Sequence, residues 1–382
     1  MAKHASYAGW TFSDDAFKSL VIDGTVSRKR GVEHFHWTIR GSAFRETHED
    51  AGLERSYGFD GSRFWRSDEN GFVARLNGVN AEYLAAWALV FNEGTTQLKA
   101  QVLGHQSLGG VNVAVVRVQT FPEVSLPTDL YIDPSSGAYK RVVIGPGLKR
   151  PVVIDVLAEM EPIAGKKIVS RWTRHGETFE ITRAAANLPI ETTDLNPPTP
   201  SALWTFGNSN PIPIAVSDKG IEVTARINGV EGHFLFDSGA SSIAVTDSFA
   251  QRAGLQPIAE IPFEAIGGSD HATLARARTF EINGNMLSNV VVASNRNFNG
   301  GKIGADGLLG YGLLGGAVVK VDLDKEQLRI LDPAQVDTSS MPGVALEIDV
   351  ASGTPAIPML LGKKRAVVLG TIDTGYGEWL MM

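Results

Sequence analysis

Two distant stretches of this chain end an apolar strand in the same way. HFLFDSG, residues 233–239, and VVLGTIDTG, residues 367–375, each place an aspartate after the run, a hydroxyl residue next and a glycine third. Upstream of each lies another extended run with a glycine-containing turn, ARINGVEGH before Asp237 and PAIPMLLGKKR before Asp373, so the match extends to a whole hairpin and is an internal repeat. A lone Asp-Ser/Thr-Gly tripeptide is common at strand ends as an Asx turn. Two copies, each after a hairpin, ask for a fold that gives two loops equivalent surroundings.

The rest of the chain narrows the class. Its 382 residues suggest two or three domains, and 43% hydrophobic with 20% charged residues is globular composition. A net charge of -7 supplies no basic stripe for a phosphate backbone, so nucleic acid is not an expected partner. With no cysteine, disulfide scaffolds, thiolate zinc sites and thiol nucleophiles are excluded. The longest helical-looking apolar run, YLAAWALVF at 83–91, is far short of the roughly 20 residues that span a bilayer. No transmembrane segment is expected. The N-terminal residues MAKHASYAGWTFSDDAF show no continuous apolar run of the secretory type.

Most of the chain reads as strands punctuated by turns. Phe35, Trp37 and Ile39 alternate with His34, His36, Thr38 and Arg40, which predicts one buried and one wet face. Asp60-Gly61 and Asn70-Gly71 suit tight turns, and Pro134-Ser135-Ser136-Gly137 reads as the turn of a hairpin spanning 129–144. The best helix candidate is 79–92; a second short one lies in SSIAVTDSFAQRAGL, with Thr246 or Asp247 as cap and Gly254 as stop. The prolines of LNPPTPS, 195–201, cannot join a ladder and place a boundary there. Beyond it come short β-rich pieces typical of a small all-β domain.

The chemistry accounts for the residue types of the repeat. General acid–base chemistry needs one group that takes a proton and another that gives one. Two carboxylates held close supply both, because repulsion keeps one proton bound while the other group is ionised. Gly239 and Gly375 let backbone approach the carboxylates, and the hydroxyls of Ser238 and Thr374 can bond across to the opposite loop. Downstream of Asp237 lie AIGGSD, 265–270, and GADGLLGYGLL, 304–314. Together with Asp237-Ser238-Gly239, these resemble the retropepsin-like aspartic peptidases, especially bacterial members with two related lobes. The resemblance implies that Asp237 and Asp373 are catalytic, that Gly267 and Gly268 lie in a flap, and that Leu308, Leu309 and Gly310 support the active-site loop. It implies a polypeptide substrate and neither metal nor organic cofactor.

The second copy is followed by only TGYGEWLMM, and Tyr376 stands where Ala240 stands in the first. Three arrangements compete: a chain cut from a longer protein, which is the favoured expectation, a stub that completes one active site, or a homodimer built on Asp237. The N-terminal region, with GFDGSRFWRSDENG, YIDPSSGAYKR and ANLPIETTDLNPP, more faintly resembles the LolA-like lipoprotein-carrier fold, an open β-barrel with a few helices. That resemblance implies a periplasmic or secreted location in a bacterial envelope and a hydrophobic ligand or protein partner. The expected organisation is mainly β: a LolA-like domain at 1–195, a linker at 196–209, a first peptidase lobe at 210–335 and the truncated start of a second at 340–382. The rival function is an envelope binding protein with a silent peptidase fold. His34 and His36 are expected to face solvent rather than a metal, and His271 to be a polar loop residue near the flap. The signatures of serine hydrolases, zincins and P-loop enzymes are missing from the sequence.

Overall fold

The computed structural model describes residues 2–8, 17–28, 31–76, 81, 84, 99–119, 126–148, 151–217, 220–265, 268–295, 304–337, 339, 349–351, 354–361 and 366–375. The chain is mainly β and folds as two units, one of residues 1–66 and 75–197, the other of residues 67–74 and 198–382.

The first unit is built on one antiparallel sheet of thirteen strands. Its first half comprises β1 (Leu20–Arg28), β2 (Gly31–Arg40), β3 (Ala43–Asp50), β4 (Leu53–Phe59), β5 (Phe64–Ser67) and β6 (Val73–Leu76). The second comprises β7 (Lys99–Leu108), β8 (Val111–Gln119), β9 (Thr128–Ile132), β10 (Tyr139–Ile144), β11 (Val152–Glu159), β12 (Val169–Arg174) and β13 (Glu177–Ala186). The order β6-β5-β4-β3-β2-β1-β13-β12-β11-β10-β9-β8-β7 brings β13 back beside β1 and leaves β6 and β7 as the two edges. The hairpin expected across 129–144 is β9–β10, closed by Asp133 N–H donating to Ala138 O at 2.9 Å. At the β1 bulge, Gly24 is needed: a Cβ there would lie 2.2 Å from the Phe35 ring. Of the helix expected at 79–92, Ala81 and Leu84 are helical and the remainder lies outside the described residues.

Strand β2 corrects the period-two expectation. Phe35, Trp37 and Ile39 are buried and His34 and His36 exposed as the alternation requires, but Thr38 is buried as well. Its strand neighbour Arg40 reaches across the outer face to Ile190 O at 2.7 Å and Thr192 Oγ1 at 2.8 Å, which fastens the 188–194 segment over that side. His36 is paired there, Nδ1 to Asp23 at 2.7 Å. A larger departure is on the apolar face, where Glu33, Glu46 and His48 are all buried. His48 Nδ1 bonds Glu33 and Nε2 bonds Glu46 Oε1 at 2.6 Å, so with acceptors at both nitrogens the ring must carry both protons. Arg55 at 2.9 Å and Arg28 complete the charge balance around Glu33.

The second unit contains β14 (Leu203–Thr205), β15 (Ile212–Pro213), β16 (Ala215–Ser217), β17 (Gly220–Ile227), β18 (Val230–Phe236), β19 (Ile243–Thr246), β20 (Gln256–Ala265) and β21 (Gly268–Ile282). It continues with β22 (Asn285–Asn295), β23 (Gly307–Leu309), β24 (Val318–Asp322), β25 (Gln327–Leu331), β26 (Asp349–Ala351), β27 (Thr354–Leu361) and β28 (Ala366–Thr371). Strands run β22-β19-β23-β18-β17-β21, and the further pairing of β21 with β22 closes these six into a barrel. Its interior is filled by Phe234, Phe249, Phe280, Val245, Leu287 and Val292. Asn228-Gly229, with φ of 52° and 81°, forms the two-residue turn between β17 and β18, a type I′ geometry matched to strand twist. The expected short helix is Asp247–Arg252, capped by Thr246 Oγ1 accepting from Phe249 N at 3.2 Å and followed by Gly254 at φ +63°. Leu203–Thr205, inside the stretch expected as linker, pairs with β22. Strands β15, β25 and β24 form one small sheet and β26, β27 and β28 another.

The buried His48 cluster sets a pH window for the first unit. Burial pulls the His48 pKa down, but Glu46 and Glu33 outweigh it and raise the value; burial pushes the Glu33 carboxyl up, but His48, Arg55 and Arg28 outweigh it and lower the value to about 2. The His48 contribution is full below about pH 6.5 and lost as pH rises through the raised value; the Glu33 contribution is full above about 4.5 and lost as pH falls toward 2. Resistance to urea should therefore be lowest at both extremes, and Glu33→Ala should cost about 3–5 kcal/mol by stranding His48 and its arginines. Flat urea midpoints from pH 6 to 10 would contradict this.

Candidate active site

The barrel puts Asp237 at the end of β18. Asp237 N donates to Leu309 O at 3.0 Å, continuing the parallel pairing in which Phe236 stands opposite Leu309. Strand β23 is wedged between β18 and β19, and Leu309 is fully buried. Gly310 has no room for a side chain, since a Cβ would lie 2.2 Å from Ser242 O and 2.6 Å from Ala240 O. The next two amides hold the same loop: Tyr311 N donates to Ala240 O at 2.7 Å and Gly312 N to Ser241 O at 3.2 Å. Leu308-Leu309-Gly310 thus lies directly behind the Asp237 loop, with Leu308 half-buried.

Asp373 follows β28 as Asp237 follows β18. Ile372 N donates to Pro355 O of the neighbouring strand at 2.9 Å, and Gly375 N donates to Asp373 Oδ1 at 2.9 Å, as Gly239 N does to Asp237 Oδ1 at 2.9 Å. The two loops then exchange bonds symmetrically. Ser238 N donates to Thr374 Oγ1 at 3.0 Å while Thr374 N donates to Ser238 Oγ at 3.1 Å. Each hydroxyl donates onward, Ser238 Oγ to Ile372 O at 2.7 Å and Thr374 Oγ1 to Phe236 O at 2.8 Å. Both glycines are pressed against the opposite carboxylate. A Cβ at Gly239 would lie 2.4 Å from Asp373 Cγ, and one at Gly375 would lie 2.4 Å from Asp237 Cγ.

The electrostatics follow from this closeness. Burial raises the pKa of Asp237 most, its hydrogen bond with Asp373 next and the charge of Asp373 after that; Gly239 and Ala240 amides oppose, and the result is about 6. Asp237 is half-buried whereas Asp373 is exposed. One proton bound between the two carboxyls makes one of them an acid and the other a base. Burial also raises the Tyr311 hydroxyl behind the loop.

The remaining expected residues are distributed as follows. Gly267 lies outside the described residues; Gly268 opens β21 and pairs with Ala265, the last residue of β20. His271 is an exposed strand residue opposite Pro262, not a loop residue, because the β20–β21 ladder extends to Ala265 and Gly268. Sequence reading missed the backbone partners: Ile372 O, Phe236 O and Pro355 O carry bonds that any residue type supplies. It also missed Ser241 and Ser242, whose only signal is the run of small residues after Asp237.

Comparison with known proteins bears on the same segment. Residues 223–315 match the family model described as aspartyl protease. The match takes in Asp237, the β20–β21 pair and Leu308-Leu309-Gly310, and it stops before Asp373. A search of curated proteins gave no match. Among solved structures, a retropepsin-like aspartic protease from Rickettsia conorii is similar at 22% identity over 34% of this chain and 92% of its own, with a TM-score of 0.26. A LolA superfamily protein from Nitrosomonas europaea is similar at 10% identity over 51% of this chain and 96% of its own, TM-score 0.36. A putative outer membrane lipoprotein-sorting protein domain from Vibrio parahaemolyticus is similar at 8% identity over 48% and 92%, TM-score 0.35.

Gly375→Ala tests the interlock. The added methyl has to displace the Asp237 carboxyl, so the loops part and Asp237 loses both its bond to Asp373 and part of its burial. Its titration, followed by the carboxyl carbon resonance, should fall from about 6 toward the ordinary aspartate value of about 3.9. An unchanged midpoint would mean that the two loops are not coupled.

Proposed function

We propose that the second unit is an aspartic endopeptidase in which Asp237 and Asp373 share the chemistry. The observation that carries this is the reciprocal bonding of Ser238 and Thr374, which sets each carboxyl against the glycine of the opposite loop. In the reading we favour, Asp237, the more buried group, holds the shared proton and donates a hydrogen bond to the scissile carbonyl oxygen. Ionised Asp373 takes a proton from a water as its oxygen bonds to the carbonyl carbon. The tetrahedral product collapses when a carboxyl proton passes to the amide nitrogen, the C–N bond breaks, and the pair regains its single proton.

The β20–β21 pair is proposed to act as a flap over an extended polypeptide, with Gly267 and Gly268 as the flap glycines. Leu308, Leu309 and Gly310 are proposed as support for the catalytic loop, and neither metal nor organic cofactor enters the chemistry. The first unit is proposed to bind a hydrophobic ligand or a protein partner.

Activity requires the proton on the pair, so hydrolysis of an unfolded polypeptide should be strongest on the acid side and fall as pH rises through about 6. Asp237→Asn and Asp373→Asn should each reduce kcat by about 10³-fold or more, a loss on the scale of removing positioned acid–base catalysis. The measurement is peptide-bond cleavage by the purified chain from pH 3 to 8. Failure to cleave anywhere in that range, with biological activity surviving Asp237→Asn, would favour a silent peptidase fold in a binding protein.

A further inference from the structure

Residues 67–74 lie more than a hundred positions before the rest of the second unit, yet they pack as part of it. The segment is a tight turn: Asp68 N donates to Phe72 O at 3.1 Å, and Asp68 Oδ1 accepts from Asn70 N at 3.0 Å and Phe72 N at 2.9 Å. Turn tips ordinarily carry polar residues into water. This one buries both Phe72, 8% exposed, and Asn70, 6% exposed. The burial has specific targets.

Phe72 lies on the backbone of Gly315 and Gly316. A Cβ at Gly315 would be 2.2 Å from Phe72 Cγ, and one at Gly316 would be 3.2 Å from Phe72 Cε1. These glycines follow the 3-10 turn Tyr311–Leu314, whose first two amides hold Ala240 and Ser241 of the Asp237 loop. Asp68 Oδ2 comes within 3.6 Å of where a Gly312 Cβ would be. Asn70 grips the other flank: its Oδ1 accepts from Val291 N of β22 at 2.7 Å, and its carbonyl accepts from Ser201 N at 2.8 Å and Ala202 N at 3.2 Å. Two residues along β22, Ala293 pairs with Ala244 of β19, the strand that leaves the Asp237 loop. The segment therefore braces the loop from both its scaffolds.

We propose that Phe72 and Asn70 are positioning residues for Asp237, acting through Tyr311–Gly316 and through β22 and β19, an inference that rests on the peptidase reading for its catalytic consequence. Loss of the Phe72 ring removes the support at Gly315 and Gly316 behind the 3-10 turn, so the Asp237 loop relaxes from Asp373. The groups whose charge bears on the test are Asp373 on the facing loop, Tyr311 on the 3-10 turn and Asp68 on the segment itself.

The test uses the full chain with Phe72→Ala and Asn70→Leu, each beside Ile227→Ala, a buried β17 residue of the same unit that serves as a control for general destabilisation. Expected are a fall of about tenfold in kcat with KM nearly unchanged, and a downward move in the Asp237 carboxyl titration for both segment variants. Ile227→Ala should lower thermal stability and leave that titration in place, and Phe72→Leu should recover most of the wild-type value. If Phe72→Ala and Asn70→Leu titrate like the wild type and lose activity only in proportion to stability, the positioning role is overturned. A wild-type chain that cleaves no peptide would sink the peptidase reading, while the titration would still decide whether the segment sets the geometry of the pair. Should Phe72→Ala fail to fold, Asn70→Leu and Phe72→Leu carry the same comparison.

Discussion

Everything at the candidate site depends on two hydroxyls that each donate and accept between the same two loops. At an effective dielectric near 20, two unit charges about 4 Å apart repel by about 4 kcal/mol. The four bonds made through Ser238 and Thr374, at about 1 kcal/mol each, are of the same order. The loops can therefore be held together against the repulsion, and the repulsion is then relieved by retaining a proton. The barrel and its β23 insertion exist, in this view, to present one half of that balance, and β27 and β28 to present the other.

The two units handle buried carboxylates in opposite ways. Glu33 is buried more deeply than Asp237, yet it is driven down to about 2 because His48, Arg55 and Arg28 surround it. Asp237 is driven up to about 6 because burial is joined by a second carboxyl rather than a cation. The neighbour decides the sign. The first arrangement fixes charges and stabilises a core; the second leaves a proton available for transfer.

Much of the site was legible because its chemistry restricts residue type. Only a small residue fits against a carboxylate, so Gly239 and Gly375 stand out, and only a hydroxyl can both donate and accept at Ser238 and Thr374. Turns and caps were legible for similar reasons, as at Thr246 and Gly254. Long-range placement was not. Nothing local in Asn70-Gly71 distinguishes a solvated turn from one that fills a space beside Gly315, and nothing in Glu33 marks it as facing the apolar side with Phe35. The closure of the barrel by β21 on β22 is likewise a matter of which edges meet, and alternating patterns do not specify their partners.

The bond between Ser238 and Thr374 joins residues 136 positions apart in the chain. Synthesis runs from the N-terminus, so a ribosome can complete the whole barrel, from β17 to β23, before the strand that delivers Asp373 has been made. Until then the chain carries a single carboxyl loop with its hydroxyl and glycine unmatched. Contacts this remote also form late in folding, since the loop between them must be closed first. The architecture thus separates the two halves of the site in time: the Asp237 loop is seated on a finished barrel before its counterpart from β28 can meet it.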